Sequence, residues 1–430
     1  MTGRRILIVG GGYVGMYTAL RLERRLGREH ELTMVTPENF MQYQPFLPEV
    51  ASGTIDPRAV VVPLRRVLRR TTLRIGEVER LDHEACVAHV LLPGGQRREI
   101  TYDEVVIGAG SRSRVLPVPG LAEYAVGFKT VTEAIYLRNR VLSQMDKADG
   151  LADLKARFAA LTFVFVGAGY AGVEALGELE DMARMALRLY PTLTIDDMRW
   201  LMVDAAPAIL PELGPDLAGY ARQRLELRGI EIRTDTRLDS IEDGIVHLSD
   251  GETFAAETLV WTAGVKPSPL PRASGLPVDP TGRLRVDPYL RVVDTPGAWG
   301  AGDVAAVPDA STGGFAPPTA QHALRQARRL ADNLAAGLEG GELRAFRWKH
   351  RGSIASLGHY KGVANPMGIH IKGFPAWFLH RTYHLAYMPT FARKVRIALD
   401  WTVALLFPRD VSQLGSLQRP REPFERSFGD

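Results

Sequence analysis

A single cysteine, Cys86, is all the thiol that this 430-residue sequence contains. A redox-active disulfide needs two thiols, so enzymes that work through a cysteine pair are excluded, and no Cys/His spacing of a metal site appears. Cys86 lies in HEACVAHV, an alternating stretch that reads as a strand with a packed thiol. No apolar run reaches the ~18–20 residues that span a bilayer; the richest, Ile397 to Phe407, is broken by Asp400. No charged-then-apolar leader precedes the first strand, so no signal peptide is expected. Basic patches interleaved with aromatics are missing too, and nucleic acid is not an expected partner.

What the sequence does contain is one pattern twice. RILIVGGGYVG (5–15) and FVFVGAGYAGVE (163–174) each read as a buried strand, a G-x-G-x-x-G turn and a helix. In such a turn the first glycine (Gly10, Gly167) bends the chain and the second (Gly12, Gly169) admits a pyrophosphate. The third (Gly15, Gly172) lets helix and strand pack closely, so the phosphates meet free N–H groups at the helix start. Two such sites predict two dinucleotides held face to face, the arrangement hydride transfer needs. The length calls for two or three domains.

An acid usually follows the second strand of such a unit to hold a ribose. After Glu31–Val35 that place is taken by Thr36, with Glu38 two residues on as a substitute. Asn39 to Ile55, rich in proline and aromatics, reads as a loop lining a site. YDEVVIGAGS ends in Gly108-Ala109-Gly110, where backbone can approach a cofactor. In the second unit Asp204 ends a strand and suits the ribose hydroxyls of NADH, or acts only as a helix cap; Glu174 either favours the positive helix end or stands beside the nicotinamide. AWGAGDV brings Asp303 to a turn, where it could hold the sugar-alcohol chain of a flavin. Ala316 to Gly337 then reads as a proline-started helix.

Charge is uneven. From Arg344 on, 14 Lys+Arg face 5 Asp+Glu, so the preceding residues carry −5 of the total +4. At 100° per residue, Phe391 to Phe407 sets Arg393, Arg396 and Asp400 opposite Phe391, Val395, Leu399 and Leu406. This helix, preceded by Trp377, Tyr383 and Tyr387, either lies in an anionic leaflet or packs on the protein's own core or a homodimer partner. His380 and His384 share a helix face, as proton donors or as interfacial anchors.

These motifs in this order resemble the two-dinucleotide flavin oxidoreductases, and specifically the type II NADH dehydrogenases. The more specific matches are NFMQYQPFLPEVASG, VWTAGVK, PPTAQHALRQA and GFPAWFLHRTYHLAYMP. The resemblance implies an α/β fold of two Rossmann-like domains, the second inserted in the first: residues 1–118 and 261–340 for FAD, 119–260 for NADH. Residues 341–430 would form a membrane-associating segment. It implies FAD on Gly10, Gly12, Gly15 and Asp303, with Gln44 and Pro45 near its ring, and NADH on Gly167, Gly169, Gly172, Glu174 and Asp204. It also implies an Ala-Gln pair, Ala320 and Gln321, near flavin and quinone. The second glutamine expected four residues later is Arg325 here, and Gln326 follows it. The implied activity is non-proton-pumping NADH:quinone oxidoreduction by a peripheral membrane protein, on the cytoplasmic face if the source is bacterial. The alternatives are an NADH-dependent reductase of a soluble acceptor and a flavin- and NADH-binding sensor.

Overall fold

The computed structural model describes residues 3–349 and 351–413. Two compact units emerge, one from the described residues up to Gln42 with Val61–Arg114 and Gly264–Arg351, the other from Tyr43–Val60, Val115–Ala263 and the described residues from Gly352 on. The helices used below are α1 (Tyr13–Arg25), α2 (Leu47–Ala51), α3 (Tyr170–Ala186), α4 (Ala320–Glu339), α5 (Phe374–Tyr387) and α6 (Phe391–Leu406).

The first unit is built on a five-stranded parallel sheet in the order Ala298–Gly300, Glu104–Ile107, Arg5–Val9, Glu31–Thr36, Thr72–Ile75. Its central strands are continuous apolar runs because both faces are covered, and Ile6 to Val9 are buried. α1 and α4 pack against one another, and Arg21 binds Asp332 at 2.7 Å. Cys86 is not in a strand. It turns between Glu77–Asp82 and Val87–Leu91 with φ +56°, half-buried, because the alternation continues on either side of a reversal that it cannot reveal.

The second unit repeats the plan: Ala125–Gly127, Thr258–Trp261, Thr162–Val166, Arg199–Val203, Ile230–Arg233, all parallel. Val164, Val166, Leu201, Val203 and Leu259 form the core of one sheet face. The stretch read as a loop contains α2, whose five residues are all buried, and Phe46 before it is buried as well. Its prolines start short helices instead of keeping the chain irregular.

The C-terminal segment of this unit forms a small antiparallel sheet, Ile354–Ser356, Gly362–Ala364 and Ile371–Lys372, followed by α5 and α6. Trp377, expected at an interface, is buried under the guanidinium of Arg381, 4.1 Å from its ring. α6 turns its apolar stripe outward: Phe391, Leu399 and Leu406 are 81%, 59% and 73% exposed. Asp400 faces inward and accepts the backbone N–H of Asp56 at 3.1 Å. The stripe therefore does not pack on the protein's own core.

Candidate active site

In the first unit the three fingerprint glycines divide by what surrounds them. Gly10 has φ +97°, and a Cβ there would lie 2.5 Å from the Gly108 carbonyl oxygen; one on Gly15 would lie 1.8 Å from the Gly10 oxygen. A Cβ on Gly12 meets nothing within 4 Å, and Gly12 begins α1 with no side-chain cap on the helix's first N–H groups. Packing excludes side chains at the first and third positions and leaves the second open, as an approaching pyrophosphate requires. Beside it lies a cavity of about 200 Å³ lined by Val9, Gly10, Pro37, Gly76, Val78 and Ala109. Thr36 is buried at the end of its strand, whereas Glu38 is exposed and does not line that cavity.

Gly110 also has a positive φ, +66°, with open space where its side chain would be. Asp303 follows the Ala298–Gly300 strand and accepts a hydrogen bond from the Ser111 hydroxyl at 2.7 Å. Gln326 is buried, and its Oε1 accepts the Gly302 N–H at 2.7 Å, so this residue fixes the Asp303 turn. Gln321 is half-buried in the first turn of α4, which Thr319 caps through the His322 N–H. Arg325 donates to the Gln321 carbonyl at 2.8 Å and lies 3.5 Å over the Trp348 ring. That stacking accounts for an arginine on this helix turn, and the sequence offered no sign of Trp348 as its partner.

The second unit carries the same pattern. Gly167 would clash with Thr262 and Gly172 with the Gly167 carbonyl, while Gly169 faces open space at the start of α3. Asp204 closes on the loop: its carboxylate accepts the N–H of Ala168 and, at 2.7 Å, that of Ala206. Gln44 is exposed and donates to the Lys129 carbonyl at 3.4 Å.

Beyond the glycines, α3 presents Glu174, Glu178 and Asp181 along one side, and residues far away in sequence meet them. Glu174 Oε1 accepts the Ser356 N–H at 2.9 Å and lies 3.2 Å from His380 Nε2. Glu178 takes the Ser356 hydroxyl at 3.3 Å and faces Arg409 at 3.5 Å; Asp181 faces Arg228 at 3.2 Å and accepts the His359 N–H. Glu49 of α2 accepts from Arg381 at 2.8 Å and from Trp401 Nε1 at 2.7 Å. Burial pushes the Glu49 and Asp181 carboxyls up. Burial pushes Glu178 up too, but Arg409 and Arg381 outweigh it and hold this carboxyl below its usual range. Burial, then Arg409, lowers His359 to about 4. His380 is therefore no interfacial anchor, being 2% exposed against Glu174.

A family model described as pyridine nucleotide-disulphide oxidoreductase matches residues 4–327. The chain is 32% identical to the type II NADH:quinone oxidoreductase Ndh of Mycobacterium tuberculosis, over 94% of this chain and 89% of that one. It belongs to the type II NADH:quinone oxidoreductase family. The chain is also 30% identical to the demethylphylloquinone reductase NdbB of Synechocystis, over 92% of this chain and 95% of that one. The fold superimposes on NDH2 of Plasmodium falciparum, solved with NADH, at TM-score 0.89 and 16% identity, with 95% and 99% covered. The chain is thus an enzyme of this FAD-dependent family with the expected two-sheet α/β fold, and its lone Cys86 sets it apart from the disulfide chemistry in the family model's description.

Proposed function

We propose that the chain oxidises NADH and reduces a membrane quinone, with FAD in the first unit and NADH in the second. One observation carries this reading: Gly12 and Gly169 each leave open, at the start of a helix, the space that their neighbouring glycines lack. Bound there, the flavin supplies the chemistry that accepts a hydride and releases electrons in turn. Gly10, Gly12, Gly15, Gly110 and Asp303 hold it, with Gln44 and Gln321 as further contacts; Glu38, exposed and off the cavity, takes no part. Gly167, Gly169 and Gly172 hold NADH. Asp204, fixed by two backbone N–H groups, presents a negative charge that repels the 2′-phosphate of NADPH. Glu174 acts beside the nicotinamide, and Gln321 orients the acceptor. Arg325 adds a positive charge one turn along α4.

Quinone comes from a membrane. Phe378, Phe391, Leu399, Leu406 and Phe407 are each more than half exposed, and this apolar set belongs to the basic end of the chain. No helix of the described residues is long and apolar enough to cross a bilayer; the exposed apolar side chains and the basic charge of this end support α5 and α6 lying on an anionic leaflet.

The test is anaerobic. Purified yellow protein is mixed with NADH, the flavin band is followed as it bleaches, and a naphthoquinone or benzoquinone analogue is added. Rapid bleaching and rapid recovery are expected; bleaching with no recovery by either quinone would refute the acceptor.

A further inference from the structure

The first unit leaves one requirement of a dinucleotide site open. Its second strand, Glu31–Thr36, ends without the acid that such a unit uses to hold an adenosine ribose. Thr36 is buried, and its Oγ1 would lie 2.8 Å from a Cβ on Gly11, so its side chain packs under the glycine turn. Glu38 is exposed and does not line the cavity beside Gly10.

The neighbouring strand supplies what is missing. Thr72–Ile75 runs parallel to Glu31–Thr36 with Ile75 beside Thr36, and the Gly76 N–H donates to the Thr36 carbonyl at 3.0 Å. Both strands therefore end at the same carboxyl edge of the sheet, where such a fold binds its ligand, and adjacent strands lie only about 4.8 Å apart. Glu77 follows at once and lines the same cavity as Gly10 and Ala109. Glu79, the other acid on that wall, is held by Arg97 at 2.8 Å. The Glu77 carboxylate has no hydrogen bond or ion pair among the described residues. We propose that Glu77 holds the adenosine ribose of FAD, accepting a hydrogen bond from each of the two ribose hydroxyls, and so fills the place of the missing acid from one strand further out.

The inference rests on FAD occupying the first unit. A carboxylate near a pyrophosphate site is electrostatically unfavourable unless it is used, and two charge-assisted hydrogen bonds are the use this position offers. Arg112 lines the same cavity and offsets the added negative charge, while the buried Val78 and Leu270 give it apolar walls suited to an adenine ring. The same carboxylate repels a ribose that carries a 2′-phosphate and has nothing to bind in FMN, which lacks the adenosine.

The test measures binding and needs neither NADH nor quinone. Full-length protein is stripped of flavin and titrated with FAD, with FAD built on 2′-deoxyadenosine and with FMN, flavin fluorescence giving each Kd. The wild type is expected to prefer FAD to the deoxy analogue by about tenfold or more, as a hydrogen bond to a charged group gives. Glu77→Ala should weaken FAD by a similar factor, abolish that preference and leave FMN affinity unchanged; Glu77→Gln, which keeps a neutral acceptor, should fall between. FAD release from the diluted holoprotein should accelerate in the same order. Glu77 is exposed, so both variants should fold, with the Tm of the flavin-free protein reporting it. Glu38→Ala should behave as wild type. A wild type indifferent to the 2′-hydroxyl, a preference that survives in Glu77→Ala, or its loss in Glu38→Ala would overturn the role of Glu77 and leave FAD in the first unit. A wild type that binds FMN as tightly as FAD would overturn FAD itself.

Discussion

Gly12 and Gly15 sit three residues apart, and a side chain does opposite things at the two places. Gly12 has φ −76°, which any residue adopts, and space beyond it; Gly12→Val is expected to fold with its Tm within about 2 °C of the flavin-free parent and to lose the flavin absorbance. Gly15→Ala drives a methyl into the Gly10 carbonyl, so it should cost about 3 kcal/mol and lower Tm by several degrees. Thermal unfolding with flavin content read on the same samples separates the two. A second residue tests charge. His359 is lowered to about 4, mainly by burial, so the folded state binds fewer protons than the unfolded state between about 6.5 and 4. Stability should fall as pH drops through that window, and His359→Asn should remove that part of the loss, on the order of 1–2 kcal/mol once the half-exposed ring is discounted for solvent. Urea unfolding of both proteins at pH 7 and pH 4.5 measures it. The glycines were legible because a strand, a turn and a helix announce them locally, although what crowds Gly10 and Gly167 is the distant backbone at Gly108 and Thr262; His359 was not, because no local pattern announces it and Arg409 reaches it from fifty residues downstream.

At the scale of elements, what could be read was what repeats locally. Both glycine turns, their strands and the α4 helix follow from apolar runs and periodicity, and α4 differs from expectation chiefly in starting after its two prolines, at Ala320. The stretch from Asn39 to Ile55 was misread because a five-residue helix is too short to show a period and its aromatics signal burial as readily as exposure. For α6 the period was right, but a helical wheel does not say which side faces water. Two substitutions one turn-face apart exploit this. Leu399→Glu on the exposed stripe should leave Tm within about 2 °C and weaken cosedimentation with anionic vesicles at least fivefold. Ile397→Ala, fully buried, should keep vesicle binding in the folded fraction and cost about 2–4 kcal/mol. Unchanged vesicle binding by Leu399→Glu would assign the stripe to a protein partner.

The C-terminal segment has two competing descriptions at the scale of the whole molecule, a detachable anchor or a structural part of the second unit, and deletion distinguishes them. An anchor could be removed to leave a soluble, stable enzyme. Here the segment supplies His380 to Glu174, Arg409 to Glu178 and Arg381 to Glu49, while Ala355, Leu357 and Val363 are buried within it. None of these pairings was legible, because the partners stand some 200 to 330 residues apart and each carboxylate taken alone resembles a solvated helix residue. Arg409→Ala keeps Glu178 buried and removes its cation, so it should cost about 3–5 kcal/mol, a large share of a domain's stability. Ending the chain at Arg351 lets the carboxylates hydrate but also bares the apolar surface beneath the segment, including α2. The truncated chain should therefore unfold at a Tm at least 10 °C lower, or aggregate, even in detergent and with added FAD. A monodisperse truncated protein with wild-type Tm would show that the buried pairs contribute little and that membrane contact is the segment's whole role.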